Sequence, residues 1–366
     1  MTRVGIVGGG QLGLMLAEAG AELGIECVAL DPSDGAPASR ACRQIVAPYD
    51  DEHALAQLAA ASDVATYEFE NVPVDAARFL ADRVPVFPPP EALEVTQDRV
   101  REKTLFDAIG LDTAAWAPVA SKEELEEALE IVGVPGVLKT RRLGYDGRGQ
   151  ARLSRVDDAA DAWRSIGEAP SILEALVPFD RELSIIGVRA RDGAVAFYPL
   201  VENRHRDGIL RVSIAPAPGI AEAMQAAAED HARAVMDRLG YVGVLAIELF
   251  QVGRRLFGNE IAPRVHNSGH WTIEGAPTSQ FENHLRAICG REPGPTTPST
   301  YSGMVNLIGR MPAEASLPAD PGVHVHAYGK HERPGRKLGH VTVVGDTGDT
   351  VFSVLQVITR TSDNLG

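Results

Sequence analysis

Cysteine is scarce in this chain: only Cys27, Cys42 and Cys289 occur among 366 residues. They are odd in number and far apart, and none belongs to a CxxC or cysteine–histidine metal spacing. Neither a disulfide framework nor a thiolate metal centre is expected. Positive charge is also short. Lys and Arg total 35 against 50 Asp and Glu, a formal charge of −15 at pH 7. That balance argues against a nucleic-acid or anionic-membrane partner, while leaving room for a local basic pocket. No uninterrupted apolar run approaches membrane-spanning length, and the apolar start RVGIVGGGQLG is too glycine-rich for a signal peptide. There is no internal repeat and no low-complexity tract. What is present is an aliphatic chain, 45 % hydrophobic and only 5 % aromatic, long enough for two or three domains with separate cores. A cytoplasmic, multi-domain α/β protein is expected.

The chain opens with strand Arg3–Val7, the loop Gly8-Gly9-Gly10-Gln11-Leu12-Gly13, a helix through Leu23, and strand Glu26–Leu30 ending in Asp31. A GxGxxG loop with an acid one β-α-β unit later permits a dinucleotide reading. Against NAD stand the turn Pro32-Ser33-Asp34 immediately after the acid and the lack of any hydride-transfer site downstream. The glycines let a backbone approach a phosphate whatever the ligand is. Glu52–Ala61 reads as a helix and Val64–Tyr67 as a strand. The acids Glu68 and Glu70 just past that strand lie at the ligand edge of a doubly wound sheet, while Asn71 also suits a helix N-cap. Strand Val84–Phe87 runs into Pro88-Pro89-Pro90, a stiff first domain boundary. Helix Glu91–Ile109 carries Lys103, which by default faces solvent.

A second unit follows. Ser121–Glu124 is a capping box opening a helix through Ile131. Strand Gly136–Thr140 holds Lys139 in an apolar run, immediately before the basic, glycine-rich loop 141–150. Lysine plus loop amides suits phosphate binding, although the lysine precedes the glycines and no Walker A pattern is present. Helix Asp157–Gly167 and strand Ser171–Leu176 lead through Val177-Pro178-Phe179-Asp180 into strand Arg181–Arg189. Backbone amides and two acids, Glu174 and Glu182, along this linker suit a purine base and a ribose diol.

The most informative stretch comes later. Val244–Phe250 and Arg255–Ile261 read as a hairpin with one carboxylate in each strand, Glu248 and Glu260. An odd-length loop centred on residue 254 would put both on one face. Paired carboxylates in a dry place suit a hard cation such as Mg²⁺, shared with substrate phosphates. Arg264, His266, Asn267, Ser268 and His270 crowd the strand exit and make an anion site. Around the hairpin, strands are expected near Ala194–Leu200 and Ile209–Ala215, with a helix over Ile220–Leu239. In helix Ser279–Ile288, Glu282 and His284 read as structural. Strand Val323–Tyr328 leads into Gly329–His340, where Lys330, Arg333, Arg336 and Lys337 form a second anion pocket. A strand His340–Val344, a short helix and a loose tail close the chain.

Five segments in register, GGGQLG (8–13), YEFENV (67–72), GYDGRGQ (144–150), NEIAPRVHNSGH (259–270) and YGKHERPGRKLGH (328–340), resemble the ATP-grasp superfamily. Within it they are similar to the family of N5-carboxyaminoimidazole ribonucleotide synthases, from Val4 to about His340. The resemblance implies an α/β ATP-grasp fold. Its parts would be an N-terminal doubly wound parallel-sheet domain (1–90), a small lid domain (112–176), and a large mixed-sheet domain (91–111 and 177–366). It implies a cytoplasmic homodimer acting on 5-aminoimidazole ribonucleotide, bicarbonate and ATP, with no nucleic-acid or membrane partner and no NAD. By position, Glu248 and Glu260 would hold Mg²⁺, with Mn²⁺ as a substitute. Lys103 and Lys139 would bind phosphates, Glu174 the adenine amino group with Val177 in the same linker, and Glu182 the ribose. Arg264, His266 and Asn267 match the bicarbonate or carboxyphosphate site. Tyr145, Asp146, Arg148, Lys330, Arg336 and Lys337 match the ribonucleotide site, with Gln11 and Glu70 at its edge. Asp146 and His266 are the candidates for taking the amine proton.

Two departures stand out. Many ATP-grasp enzymes carry asparagine two residues after the second metal glutamate; here that residue is Ala262, leaving any third ligand unassigned. Val265 replaces the usual proline without removing a functional group. The nearest rival is a formate-dependent glycinamide ribonucleotide transformylase, against which HNSGH and GRKLGH weigh. A biotin carboxylase is disfavoured by length, and a nucleotide-binding regulator without turnover would lose Glu248 or Arg264.

Overall fold

A computed structural model describes residues 2–144 and 149–363. Three sheets form in chain order. The first is parallel, with β1 (Arg3–Val7), β2 (Glu26–Asp31), β3 (Arg43–Val46) and β4 (Val64–Tyr67) in the order β3-β2-β1-β4. Helices α1 (Gln11–Glu22), α2 (Glu52–Ala60) and α3 (Val74–Ala81) accompany it. Residues 84–87 make only a single bridge, Ala65 to Val86, rather than the expected strand, since prolines on both sides remove ladder donors.

The expected helix 91–109 is two helices, α4 (Pro90–Thr96) and α5 (Arg99–Ile109). Asp98 breaks the run by capping α5, its carboxylate accepting from the Val100 N–H at 3.1 Å. The turn between them aims α5 inward, so Glu102 and Lys103 are each only 1 % exposed. The solvent-facing reading of Lys103 is therefore wrong. Helix periodicity shows which residues share a face, not which face meets the core.

The small sheet contains β5 (Trp116–Val119), β6 (Gly136–Thr140), β7 (Gln150–Leu153) and β8 (Ser171–Ala175), in the order β5-β8-β6-β7. It is backed by α6 (Lys122–Val132) and α7 (Ala159–Ser165), whose Leu125, Leu129 and Trp163 share one core with Leu138 and Leu173. At the start of α6 the Ser121 hydroxyl accepts from the Glu124 N–H at 3.2 Å, while Glu124 reaches back to the Ala120 N–H at 2.7 Å.

The large sheet has nine strands. These are β9 (Arg181–Arg189), β10 (Val195–Phe197), β11 (Val201–Arg206), β12 (Ile209–Ala215), β13 (Gly243–Val252), β14 (Arg255–Ala262), β15 (Tyr301–Ile308), β16 (Val323–Ala327) and β17 (Lys337–Gly345). The main path is β14-β13-β9-β11-β12-β15-β17-β16, and β10 pairs with β9. Helices α8 (Glu222–Arg238), α9 (Thr272–Gly275) and α10 (Gln280–Ile288) cover it, and α11 (Gly348–Asp363) packs on β15 and β17. This last helix has 16 residues, not the short helix expected; Val351, Leu355 and Ile358 form its buried stripe.

One core binds the N-terminal sheet to the large one, with Leu12, Met15 and Leu16 of α1 packed among Ile186, Phe281 and Leu285. His284 sits at this junction. Its Nδ1 accepts from the Val244 N–H at 3.1 Å, so its protonated Nε2 faces the Thr66 hydroxyl at 2.9 Å. Burial pushes this imidazole down to about 3, so it stays neutral and structural. None of the described helices is long and apolar enough to cross a membrane.

Candidate active site

The site is built on one face of the large sheet. Glu248 of β13 stands directly opposite Glu260 of β14 and directly beside Ser184 of β9. The hairpin loop is not odd-length. Val252 pairs with Arg255, leaving Gly253 and Arg254 as a two-residue turn that by itself would set Glu248 against Asn259. Between Glu248 and Leu249 the register shifts, with Asn259 as the extra residue, and this bulge restores the acid pair. Burial, then the facing Glu260, pushes Glu248 up to about 7. Burial acts on Glu260 too, but Arg99, 3.3 Å away, and then Lys139 hold it below the ordinary carboxylate range. Two facing carboxylates that cannot comfortably both ionise fit a divalent cation completed by phosphate oxygens. Among the described residues no three His, Cys, Asp or Glu side chains form a metal-holding group.

On the side of the small sheet lies a second charged cluster. Lys103 Nζ donates to the carbonyls of Gly258 (3.2 Å) and Asn259 (2.8 Å), oxygens at the bulge. Glu174 Oε2 lies 3.4 Å from Lys103 Nζ and 3.1 Å from Lys139 Nζ. Burial would raise the Glu174 carboxyl, but Lys139, Lys103 and Arg99 bring it down to about 2. Its Oε1 is buried without a hydrogen-bond partner, a free acceptor. Neighbouring Glu102 accepts from the Ile261 N–H at 2.6 Å, and burial pushes it up to about 8. Glu182 pairs with His205. The linker after Glu174 brings half-buried Val177 and the Phe179 ring, stacked on Phe250 at 4.6 Å, to the same edge. Arg99, His205 and Asn259 are thus part of the site and were not expected. Arg99 followed a helix cap, and His205 gains its partner only by strand pairing; the NE dipeptide at 259–260 was the one local signal.

Beyond Glu248 gather the side chains expected to bind an anion. His266 Nε2 is 3.4 Å from Glu248 Oε1. Burial, then Arg264 and Lys337, drives this imidazole well below its ordinary range. Arg264 donates to Glu70 Oε2 at 2.7 Å and to the Val265 carbonyl at 3.0 Å. Asn267 forms a reciprocal amide pair with Asn306, at 3.1 and 2.7 Å, so both its polar side-chain atoms serve as scaffold. In the glycine loop the Gly9 N–H donates to Asp31 Oδ2 at 2.8 Å, while the N–H groups of Gly10 (2.9 Å) and Gly13 (3.3 Å) donate to Glu68. A Cβ at Gly8 would meet Glu68 at 2.7 Å. Donors that a pyrophosphate would need are committed to the protein's own acids. Gln11, next in the loop, accepts from Lys330. Burial, with Arg336 and Lys337 nearby, brings Lys330 down to about 8 even though Glu68 opposes it. The two distant segments 8–13 and 330–337 therefore meet at one place. Tyr145, Asp146 and Arg148 lie outside the described residues.

A parallel-sheet domain, a large sheet bearing facing carboxylates, and a small antiparallel sheet whose Lys139 meets Glu174 beside the buried Lys103 of α5 together define an ATP-grasp protein. The ATP-grasp domain family matches residues 104–281, the ribonucleotide synthetase preATP-grasp domain residues 1–97, and the phosphoribosylaminoimidazole carboxylase C-terminal domain residues 302–353. N5-carboxyaminoimidazole ribonucleotide synthase of Pseudomonas aeruginosa is 49 % identical over 341 residues, covering 93 % of this chain and 94 % of that protein. The crystal structure of the Thermus thermophilus synthetase is 53 % identical, with a TM-score of 0.94 and 98 % of each chain covered. That of the Aspergillus clavatus synthase in complex with ADP and 5-aminoimidazole ribonucleotide is 32 % identical, with a TM-score of 0.93 and 99 % of each chain covered. The chain belongs to the N5-carboxyaminoimidazole ribonucleotide synthase family.

Proposed function

We propose that this protein is an ATP-dependent ligase that carboxylates 5-aminoimidazole ribonucleotide to its N5-carbamate in purine biosynthesis, using bicarbonate. The observation that carries this reading is the placement of the carboxylate pair between two unlike sites. On one side are Lys103, Lys139 and the free Oε1 of Glu174, matched to phosphates and an exocyclic amine. On the other are Arg264 and His266, with Lys330 and Arg336 beyond them. In this reading Glu182 and Val177 complete the nucleotide pocket. Gln11, Glu70, Tyr145, Arg148, Lys330, Arg336 and Lys337 hold the ribonucleotide, and Arg264 and His266 hold the bicarbonate. Asn267 supports that last site through Asn306. Three free cysteines fit a reducing cytoplasm; the homodimer and the division at residues 1–90, 112–176 and the remainder complete the proposal.

Glu248 and Glu260 would hold Mg²⁺, which when bound offsets charge on the transferring phosphoryl group. Bicarbonate is a poor electrophile until one oxygen becomes phosphorylated and can leave as phosphate. The buried lysines and Arg99 fix the donor phosphates, and Arg264 can grip the bicarbonate carboxyl in its planar fork. A carboxyl group freed from phosphate must reach the aryl amine before water does, so a closed site is essential. The amine gives up a proton as the C–N bond forms, and Asp146 and His266 are the candidates for taking it. The test is ADP release by purified protein with each substrate omitted in turn. ADP formation that ignores both 5-aminoimidazole ribonucleotide and bicarbonate, or that requires formate and glycinamide ribonucleotide, overturns the proposal.

A further inference from the structure

Behind His266 runs a line of buried polar side chains whose hydrogen bonds have only one consistent direction. The Ser268 N–H lies 3.3 Å from His266 Nδ1, and a backbone N–H can only donate. Nδ1 is therefore an acceptor and carries no proton. The Ser268 hydroxyl, 2.9 Å from the same nitrogen, must spend its single proton there. Ser184 Oγ, 2.8 Å from Ser268 Oγ, must then donate to it. With that proton used, Ser184 can only accept from its other neighbour, so Asn203 presents Nδ2, at 3.0 Å. The Asn203 Oδ1 then faces Ser213 Oγ at 2.8 Å, and Ser213 donates. All five side chains are buried, the two strand serines and Ser268 completely, so water does not compete for these bonds.

We infer that Ser213, Asn203, Ser184 and Ser268 form a polarised relay that fixes His266 as the Nε2–H tautomer, making it a hydrogen-bond donor in the catalytic site. They are positioning residues, reaching the site only through the imidazole. The relay crosses three neighbouring strands: Asn203 of β11 pairs with Ser213 of β12, and Ser184 of β9 pairs with Glu248. Its output, Nε2–H, lies beside Glu248, whose Oε1 is 3.4 Å from Nε2. His266 thus donates to the metal-site carboxylate or to an oxygen placed between them, and does not accept the proton of the aryl amine. This assignment of its catalytic part rests on the proposed carboxylation, while the tautomer itself does not.

The direct test is ¹⁵N NMR of histidine-labelled protein, which distinguishes a protonated from an unprotonated ring nitrogen. Wild-type His266 should show protonated Nε2 and bare Nδ1; the opposite tautomer, or an even mixture, overturns the inference. Asn203→Asp replaces the donor by an acceptor, so the Ser184 and Ser268 protons turn toward residue 203 and the population shifts toward Nδ1–H. Ser213→Ala, a smaller change that frees the Asn203 amide to invert, should give a weaker shift in the same direction and serves if Asn203→Asp does not fold. An unchanged tautomer in a folded variant ends the relay at Ser268 and overturns the remote part. In turnover, Asn203→Asp should lower kcat about 10- to 100-fold with KM for ATP unchanged. A matched rise in KM for ATP would mean general structural damage. Should wild-type protein fail to carboxylate the ribonucleotide, the proposed function falls while the NMR result still decides the relay.

Discussion

Replacing Glu174 by glutamine probes the most heavily charged part of the interior. One carboxylate neutralises two ammonium groups, at 3.1 and 3.4 Å, and Lys103 is 1 % exposed. A carboxyl held at about 2 instead of its ordinary 4.5 contributes about 3 kcal/mol at neutral pH. Removing one partner of a buried ion pair typically costs about 3–5 kcal/mol, because the other charge remains in a low dielectric. The two routes agree. For a chain of this length about 3 kcal/mol corresponds to a fall in melting temperature of about 4 °C. The pH dependence has a definite sign. The carboxyl is depressed in the folded state, so its contribution is complete above about pH 5 and fades as pH falls toward 2. Thermal melts of wild type and Glu174→Gln should therefore differ most at neutral pH and converge in acid. Adding Lys103→Met should recover part of the loss by removing one stranded cation. Equal melting temperatures at neutral pH, or a gap that widens in acid, would falsify the account.

Further outcomes test the site. Glu260→Gln should abolish turnover in a folded protein, since one carboxylate cannot hold magnesium against phosphate repulsion; near wild-type rates at limiting magnesium would remove the metal assignment. Lys330 sits at about 8 and loses its charge above that pH, so kcat/KM for the ribonucleotide should fall as pH rises through about 8. In Lys330→Arg that fall should vanish, while Arg336→Ala should raise KM for the ribonucleotide far more than for ATP. Arg264→Lys keeps the charge but loses the planar fork, so labelled bicarbonate incorporation should drop strongly while ATP binding, measured by titration, survives. His266→Asn should behave likewise; normal carboxylation in either variant takes that residue out of the site.

Much was legible without coordinates because it is local. The two acids of the hairpin, the polar exit 264–270 and the basic segment 329–340 each lie within a short run, and strand alternation or glycine punctuation marks them. Family likeness then ordered them into one fold. Other features depended on residues far apart. Glu68 reads as an acid after a strand, yet it fills the glycine loop from 55–58 positions away. Asn267 reads as a ligand residue, and one N–H and one lone pair of its amide are held by Asn306. Even the acid pair owes its alignment to a bulge at Asn259, which no count of loop residues reveals.

By itself the sequence determined the parts: strands and helices through their periodicity, the chemical character of each motif, and a mixed α/β ATP-grasp architecture. Tertiary structure alone decided direction and partnership. Whether Lys103 faces water or the core depends on the angle at Asp98 between two helices. Whether His266 gives or takes a proton depends on hydroxyls contributed by separate strands. Periodicity is a property of neighbours along the chain, whereas a hydrogen-bond direction or a shifted pKa belongs to whatever the fold brings within a few ångströms.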